Sequence, residues 1–193
     1  MSRGHDARAS ARSPQVPARI AWVVDQLELR PGQRVLEIGC GPGYALALAL
    51  AKLERGTLTG IDRSPLQVAR ASAHNRLAIA EGRARVDCLA LGDAPEVYGP
   101  RAFDTLFAIN VNAFWTEPEP SIAALLRLAR PRARAYLAYE PPSSAKLREM
   151  QRSLPPLLGT HGLRIEAVRV AELGPGHGLC VVAGRATATS ARR

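Results

Sequence analysis

Apolar positions along this chain gather in short runs, separated by stretches in which they recur at helical spacing. Ile20, Val23, Val24 and Leu27, with Trp22 beside them, predict a helix from Pro17 to about Leu29, broken by Pro31-Gly32. Runs at 34–39, 57–62, 84–89, 103–109 and 134–139 predict five strands. Stretches at 43–54, 64–80, 118–130 and 143–158 predict the helices between them, the second opened by Ser64 as N-cap and Pro65 in the first turn. Phe103–Ile109 is the most apolar run and is expected near the centre of the sheet. A sixth strand opens at Gly162-Leu163-Arg164-Ile165 and a last one covers Leu179–Ala183, with Gly174-Pro175-Gly176-His177-Gly178 joining them. A loop that short cannot make a parallel crossover, so the last strand should run antiparallel. The alternation predicts an α/β, doubly wound, seven-stranded sheet in a three-layer α/β/α arrangement.

The first strand leads straight into Gly39-Cys40-Gly41-Pro42-Gly43, and a helix follows at once. Glycines without Cβ let the backbone take unusual φ values and let a ligand lie against it. The helix start behind them presents unpaired N–H groups to an anionic group. The spacing is Gly-x-Gly-x-Gly and not the Gly-x-Gly-x-x-Gly of dinucleotide binding. Glu37 sits two residues before the first glycine, and Asp62 ends the second strand, where an acid can accept hydrogen bonds from both hydroxyls of a ribose. Glu37-Ile38-Gly39-Cys40-Gly41-Pro42-Gly43 followed by Gly60-Ile61-Asp62 resembles motifs I and II of the class I S-adenosylmethionine (SAM) dependent methyltransferases. The resemblance covers about residues 17–185 and implies a Rossmann-like domain with SAM as cofactor.

By that resemblance Glu37, Gly39, Cys40, Gly41 and Gly43 form the cofactor turn, Asp62 takes the ribose, and Arg63 beside it is a further cofactor-binding candidate. Gly92-Asp93-Ala94 is implied to lie near the adenine, Asp93 taking the exocyclic amine and Ala94 giving a backbone N–H. Alternatively, Asp93 caps the helix after it. Asn110 matches the position that meets the methionine end, and Tyr44, Asn112, Trp115 and Glu140 are candidates for the acceptor side. Phe114 and Trp115 either form an aromatic wall or pin the next helix to the core. Trp22 either packs or covers the site, since family members often close it with a leading helix. Glu140 is either a base or acceptor contact, or the N-cap partner of the next helix. Tyr139 and His177 are further candidates for a base, with His177 expected in an exposed hairpin and His74 on the surface. Methyl transfer requires geometry more than proton removal, so no base is assigned. The family's Leu-x-Pro-Gly-Gly turn before the fifth strand is here Ala129-Arg130-Pro131-Arg132-Ala133, with both glycines replaced.

At 193 residues and 47% apolar, the chain has the size and make-up of one soluble domain. No apolar run approaches membrane-spanning length, and the first residues lack an apolar signal segment. Cys40, Cys88 and Cys180 share no metal or disulfide spacing, which is the usage of a cytoplasmic protein without a metal site. The net charge of +9 raises nucleic acid as a partner. Its distribution weighs against that: residues 1–19 and the segment from Arg185 onward each carry +3, leaving only +3 over residues 20–184. The expected organisation is a disordered arm (1–16), a methyltransferase domain (17–185) and a disordered tail (186–193). A small-molecule acceptor is the favoured partner. The alternatives are an RNA or protein methyltransferase using the basic tails, or a nucleotide-binding protein without catalysis. No Asn/Asp-Pro-Pro-aromatic motif follows the fourth strand, which the resemblance would require for adenine amino methylation.

Overall fold

The computed structural model describes residues 16–186, so the expectations for the arm and the tail lie almost wholly outside the described residues. One seven-stranded sheet organises the chain: β1 (Gln33–Ile38), β2 (Gly56–Asp62), β3 (Ala84–Cys88), β4 (Phe103–Ile109), β5 (Ala129–Tyr139), β6 (Leu163–Leu173) and β7 (Gly176–Arg185). Their spatial order is β3-β2-β1-β4-β5-β7-β6. β1 to β5 are mutually parallel, and β7 runs antiparallel between β5 and β6. The α/β fold and the antiparallel last strand are as the sequence predicts. Chain order reverses where β1 stands between β2 and β4, and a doubly wound sheet opens a crevice at the C-terminal ends of such strands.

The helices are α1 (Ala18–Gln26), α2 (Tyr44–Lys52), α3 (Pro65–His74), α4 (Arg76–Ala80), α5 (Ala94–Tyr98), α6 (Ala113–Thr116), α7 (Pro118–Leu128) and α8 (Ser144–Thr160). Both faces of the sheet are covered, which is why β1 and β4 are apolar along most of their length. Val23 and Val24 of α1, and Leu46, Ala49 and Leu50 of α2, pack on one face with Val35, Leu58 and Phe107. Ile122, Leu125 and Leu128 of α7, and Met150, Leu154 and Leu158 of α8, pack on the other with Leu36, Leu106 and Leu137.

Four features differ from the sequence reading. The helix expected over 64–80 is two helices, because Asn75 leaves helical geometry and its buried amide bonds the carbonyls of Ala71 (2.9 Å) and Gly43 (3.1 Å). The first helix ends at Gln26, three residues early, where the chain turns extended to reach β1. β5 begins at Ala129 instead of 134, with a bulge: Phe103 pairs with Ala129 but Thr105 pairs with Arg134. The β6–β7 turn is only Gly174-Pro175, so His177 lies in β7 opposite Glu172 and is half-buried, not in an exposed loop.

Candidate functional site

The turn after β1 is held from both sides. The N–H groups of Gly39 and Cys40 donate to the Ile61 carbonyl at 2.8 and 3.0 Å, which binds the turn to β2. Gly43 caps α2 at φ +81°, and a Cβ there would lie 2.6 Å from Asn75 Nδ2 and 2.9 Å from Ala71 Cβ. Gly43 is therefore fixed by close approach as well as by backbone conformation. Gly41 differs: at φ +50° it also takes the left-handed region, but a Cβ there would meet nothing within 4 Å. Its missing side chain opens the turn toward the crevice.

Two carboxylates stand under this turn. Asp62 accepts from Gly41 N–H through Oδ2 and from Ser64 N–H through Oδ1, both at 2.9 Å. Glu37 is 3% exposed, and its Oε2 has no hydrogen-bond partner. Burial, with the Asp62 charge adding to it, holds the Glu37 carboxyl well above the usual glutamate range; a hydrogen bond from the Leu46 backbone opposes this only in part. An orphaned, buried carboxyl oxygen is costly unless a donor or cation reaches it. Burial also pushes the Cys40 thiol up to about 12, with Glu37 and Asp62 contributing, so Cys40 is a packing residue and not a nucleophile.

Two adjoining cavities share Gly39, Ile109 and Asn110 at the C-terminal ends of β1 and β4. One, of about 180 Å³, is lined by Glu37, Cys40, Gly41 and Tyr44 and roofed by Arg19 and Ile20 of α1. The other, of about 420 Å³, is lined by Asp62, Arg63, Leu89, Ala90, Asn112 and Glu117 among others. Asn110 holds φ +57°, a conformation Asn tolerates better than most residues. Its N–H donates to the Ala138 carbonyl and its Oδ1 accepts from Glu140 N–H, both at 2.8 Å, so it ties β4 to the end of β5.

The structure thus brings together Glu37, Gly39, Cys40, Gly41, Tyr44, Asp62, Arg63, Asn110 and Asn112, with Gly43 in the same turn. Gly92, Asp93 and Ala94 do not line the cleft. Asp93 is exposed at the start of α5 without accepting a capping bond, and Ala94 N–H is committed to the Leu91 carbonyl at 3.3 Å. Leu89 and Ala90 form that wall instead. Trp115 is also elsewhere: it is 38% exposed, with Lys146 Nζ 5.1 Å from its ring centre, over a groove on α8. Phe114 is fully buried and pins α6 to the core. Glu140 does not cap α8, since Ser143 does so through Lys146 N–H. It pairs instead with Arg19 at 3.2 Å, on the rim of the cleft. Tyr139 donates to the Val111 carbonyl at 3.1 Å, and burial raises its hydroxyl far above its usual range, so it is no base. Trp22 packs over Gly178, where a Cβ would come within 2.7 Å of its ring. His74 is exposed, edge-on to Tyr44 at 4.7 Å.

Sequence reasoning missed Arg19 and Ile20 as cleft residues, although α1 precedes the glycine turn directly. It also missed Asn75, for which no local signal exists because its partner Gly43 lies 32 residues away.

Residues 36–135, just over half the chain, match the family model described as a methyltransferase domain. The 24-methylenesterol C-methyltransferase 2 of Arabidopsis thaliana is 30% identical over 117 residues, which is 61% of this chain and 31% of that protein. This chain therefore spans about a third of the length of that curated relative. Among solved structures, a geranyl diphosphate methyltransferase in complex with SAM superposes with a TM-score of 0.68 at 14% identity, covering 87% of this chain and 84% of that one. The [4+2]-cyclase SpnF superposes at 0.69 and 18% identity, over 87% and 80% of the two chains. At such identities the likeness shows the fold. The family match decides the class: the chain belongs to the SAM-dependent methyltransferases, whose cofactor is S-adenosylmethionine. Among the described residues no helix is long and apolar enough to cross a membrane.

Proposed function

We propose that this chain transfers the methyl group of SAM to a small organic acceptor in the cytoplasm. The observation that carries the reading is the orphaned Glu37 Oε2 beneath a glycine turn whose middle residue opens onto the cleft. A cationic ligand lying against Gly41 relieves the cost of that buried oxygen, and SAM is a cation at both its ammonium and its sulfonium. Bound there, SAM supplies an electrophilic methyl group.

The residues of the chain do the rest. Asp62 exchanges its bond to Gly41 N–H for ribose hydroxyls while keeping Ser64 N–H, which holds the carboxylate in place. Leu89 and Ala90 offer an apolar wall to the base. Asn110 fixes the end of β4 against β5, so the acceptor side keeps its geometry. Arg19 and Ile20 on α1 roof the glycine turn and exclude water from it. Catalysis by orientation requires no base within this set, and none is assigned.

Two considerations support a small acceptor. The two adjoining cavities, about 420 and 180 Å³, are of small-ligand size, and two of the proteins named above are named for a sterol and for geranyl diphosphate. The three cysteines are free, which suits a reducing compartment. The test is calorimetric titration with SAM, S-adenosylhomocysteine and NAD in parallel. The two sulfur nucleosides should bind and NAD should not. Binding of NAD alone overturns the reading of the glycine turn. If SAM binds, incubation with methyl-labelled SAM and pooled small acceptors should transfer label; transfer to RNA or protein alone would refute the small acceptor.

A further inference from the structure

A second cavity, of about 430 Å³, lies at the other end of the sheet, where β1, β4 and β5 begin and β7 ends. Gln33 and Thr105 line it, while Gly39 and Asn110 on the same two chain runs line the cofactor cleft. Five to six residues of extended chain separate the two, on the order of 16–20 Å. The cavity therefore does not belong to the cofactor site.

Its wall contains five arginines and three carboxylates. Each carboxylate is already matched. Glu28 holds Arg134 and Arg169, Glu166 holds Arg134 (2.9 Å) and Arg164 (2.5 Å), and Asp104 holds Arg130 at 2.8 Å. Three guanidinium groups of the wall are left over. Among the described residues, the Arg185 side chain donates only to the Leu126 carbonyl, and those of Arg30 and Arg132 make no hydrogen bond or ion pair. The pairs on Glu166 gather Arg134 and Arg164 on one wall, and the unmatched, exposed charges stand around the mouth of the hollow.

The bulge in β5 builds this rim. Between Ala129 and Arg134 the chain departs from the ladder, and Pro131, Arg132 and Ala133 face the cavity. This is the stretch where the two glycines of the resembled family's turn are replaced, one of them by arginine. Gly184 completes the hollow: a Cβ there would stand 2.9 Å from Glu166 Oε1 and 3.3 Å from an Arg164 guanidinium nitrogen.

We propose that this cavity binds a small phosphorylated molecule, with Arg30, Arg132 and Arg185 as its anion contacts. Guanidinium forks match phosphate oxygens bidentately, and the volume is that of a small-ligand site. The hollow is open to solvent on one side, with Arg30, Arg132 and Arg185 exposed at its rim, and its volume suits a compact ligand, whereas a polymer's phosphates would need a longer basic track. The proposal stands apart from methyl transfer, because it uses no residue of the cofactor cleft.

The test is calorimetric titration of the full chain with pyrophosphate at moderate salt. Wild type should show one saturable site, and the Arg30→Ala/Arg132→Ala double variant should lose at least tenfold in affinity. Its melting temperature and its titration with SAM should stay at the wild-type values, since neither side chain supports another residue. Arg63→Ala, at the cofactor cleft, should leave pyrophosphate binding unchanged. No saturable binding, an undiminished double variant, or a loss caused by Arg63→Ala instead would each overturn the proposal. So would a single-stranded RNA 20-mer that binds more tightly than pyrophosphate and competes with it, since that would make the site a nucleic-acid contact.

Discussion

The Gly41 N–H donates to Asp62 Oδ2 at 2.9 Å, so the carboxylate expected to hold a ribose also braces the turn that the nucleoside must lie against. A ribose bound as proposed would compete with the turn for Oδ2, while Oδ1 keeps Ser64 N–H at the start of α3. On that proposal, cofactor binding and local order at the turn are coupled through a single side chain.

Replacing that side chain should therefore show in two measurements. Asp62→Ala should weaken SAM binding more than tenfold, at least about 1.4 kcal/mol. It should also lower the melting temperature modestly, because two backbone N–H groups lose their acceptor. Unchanged affinity by calorimetry would remove Asp62 from the cofactor site.

The glycines of the turn should separate by readout. Gly43→Ala places a Cβ against Asn75 and Ala71 at φ +81° and should destabilise the fold by roughly 1–3 kcal/mol. Gly41→Val meets open space and costs only backbone strain, about 1–2 kcal/mol, yet should abolish SAM binding. Thermal melts beside SAM titrations decide it; normal binding by Gly41→Val would mean the ligand does not approach that face.

Glu37 should give the free protein a pH signature. Its folded value is raised, so above about pH 4.5 the folded chain keeps a proton that the unfolded chain has lost. The stability drawn from the neutral form is whole below that pH and falls as pH climbs through the raised value. Glu37→Gln should flatten that slope and melt higher than wild type near neutrality. It should also bind SAM more weakly, because an amide offers no charge to a cation, and wild-type affinity should rise with pH where the variant's does not. A wild-type melting profile as flat as the variant's would show that Glu37 is charged in the free fold.

Arg19 should separate affinity from stability. Its pair with Glu140 is about one-third exposed on both sides, and such pairs contribute at most about 1 kcal/mol. Arg19→Ala should therefore leave the melting temperature nearly unchanged. It should still weaken SAM binding several-fold by opening the roof of the turn. Equal SAM affinity in both proteins would place α1 outside the cofactor site.

What the sequence disclosed and what it hid have different physical ranges. Phe103–Ile109 is legible to the residue because a central parallel strand must be apolar on both faces, a local property. The glycine turn and Asp62 are legible because positive φ at Gly39, Gly41 and Gly43 and the Asp62 bond to Gly41 N–H constrain residue types at short spacing. Asn75 was not, since its role depends on Gly43, a partner distant in sequence. Trp115 and Phe114 were an even choice on composition; only the direction of α6 decides which one faces the core. Asp93 is the converse case: the family pattern places it at the adenine, while this loop leaves it exposed at the start of α5 and puts Leu89 and Ala90 on the cleft wall.

The position of β7 carries a consequence for how the chain acquires its shape. Leu179–Ala183 are fully or nearly fully buried, and they bridge β5 to β6, which have no contact of their own in the ladder. During synthesis, β6 leaves the ribosome before the strand that joins it to the rest. Until β7 arrives, the unpaired edge of β5 is an open invitation to another chain. Deletion of even a few residues within 179–185 should therefore produce aggregation and not a slightly smaller protein, and a chaperone would be needed until β7 is made and paired.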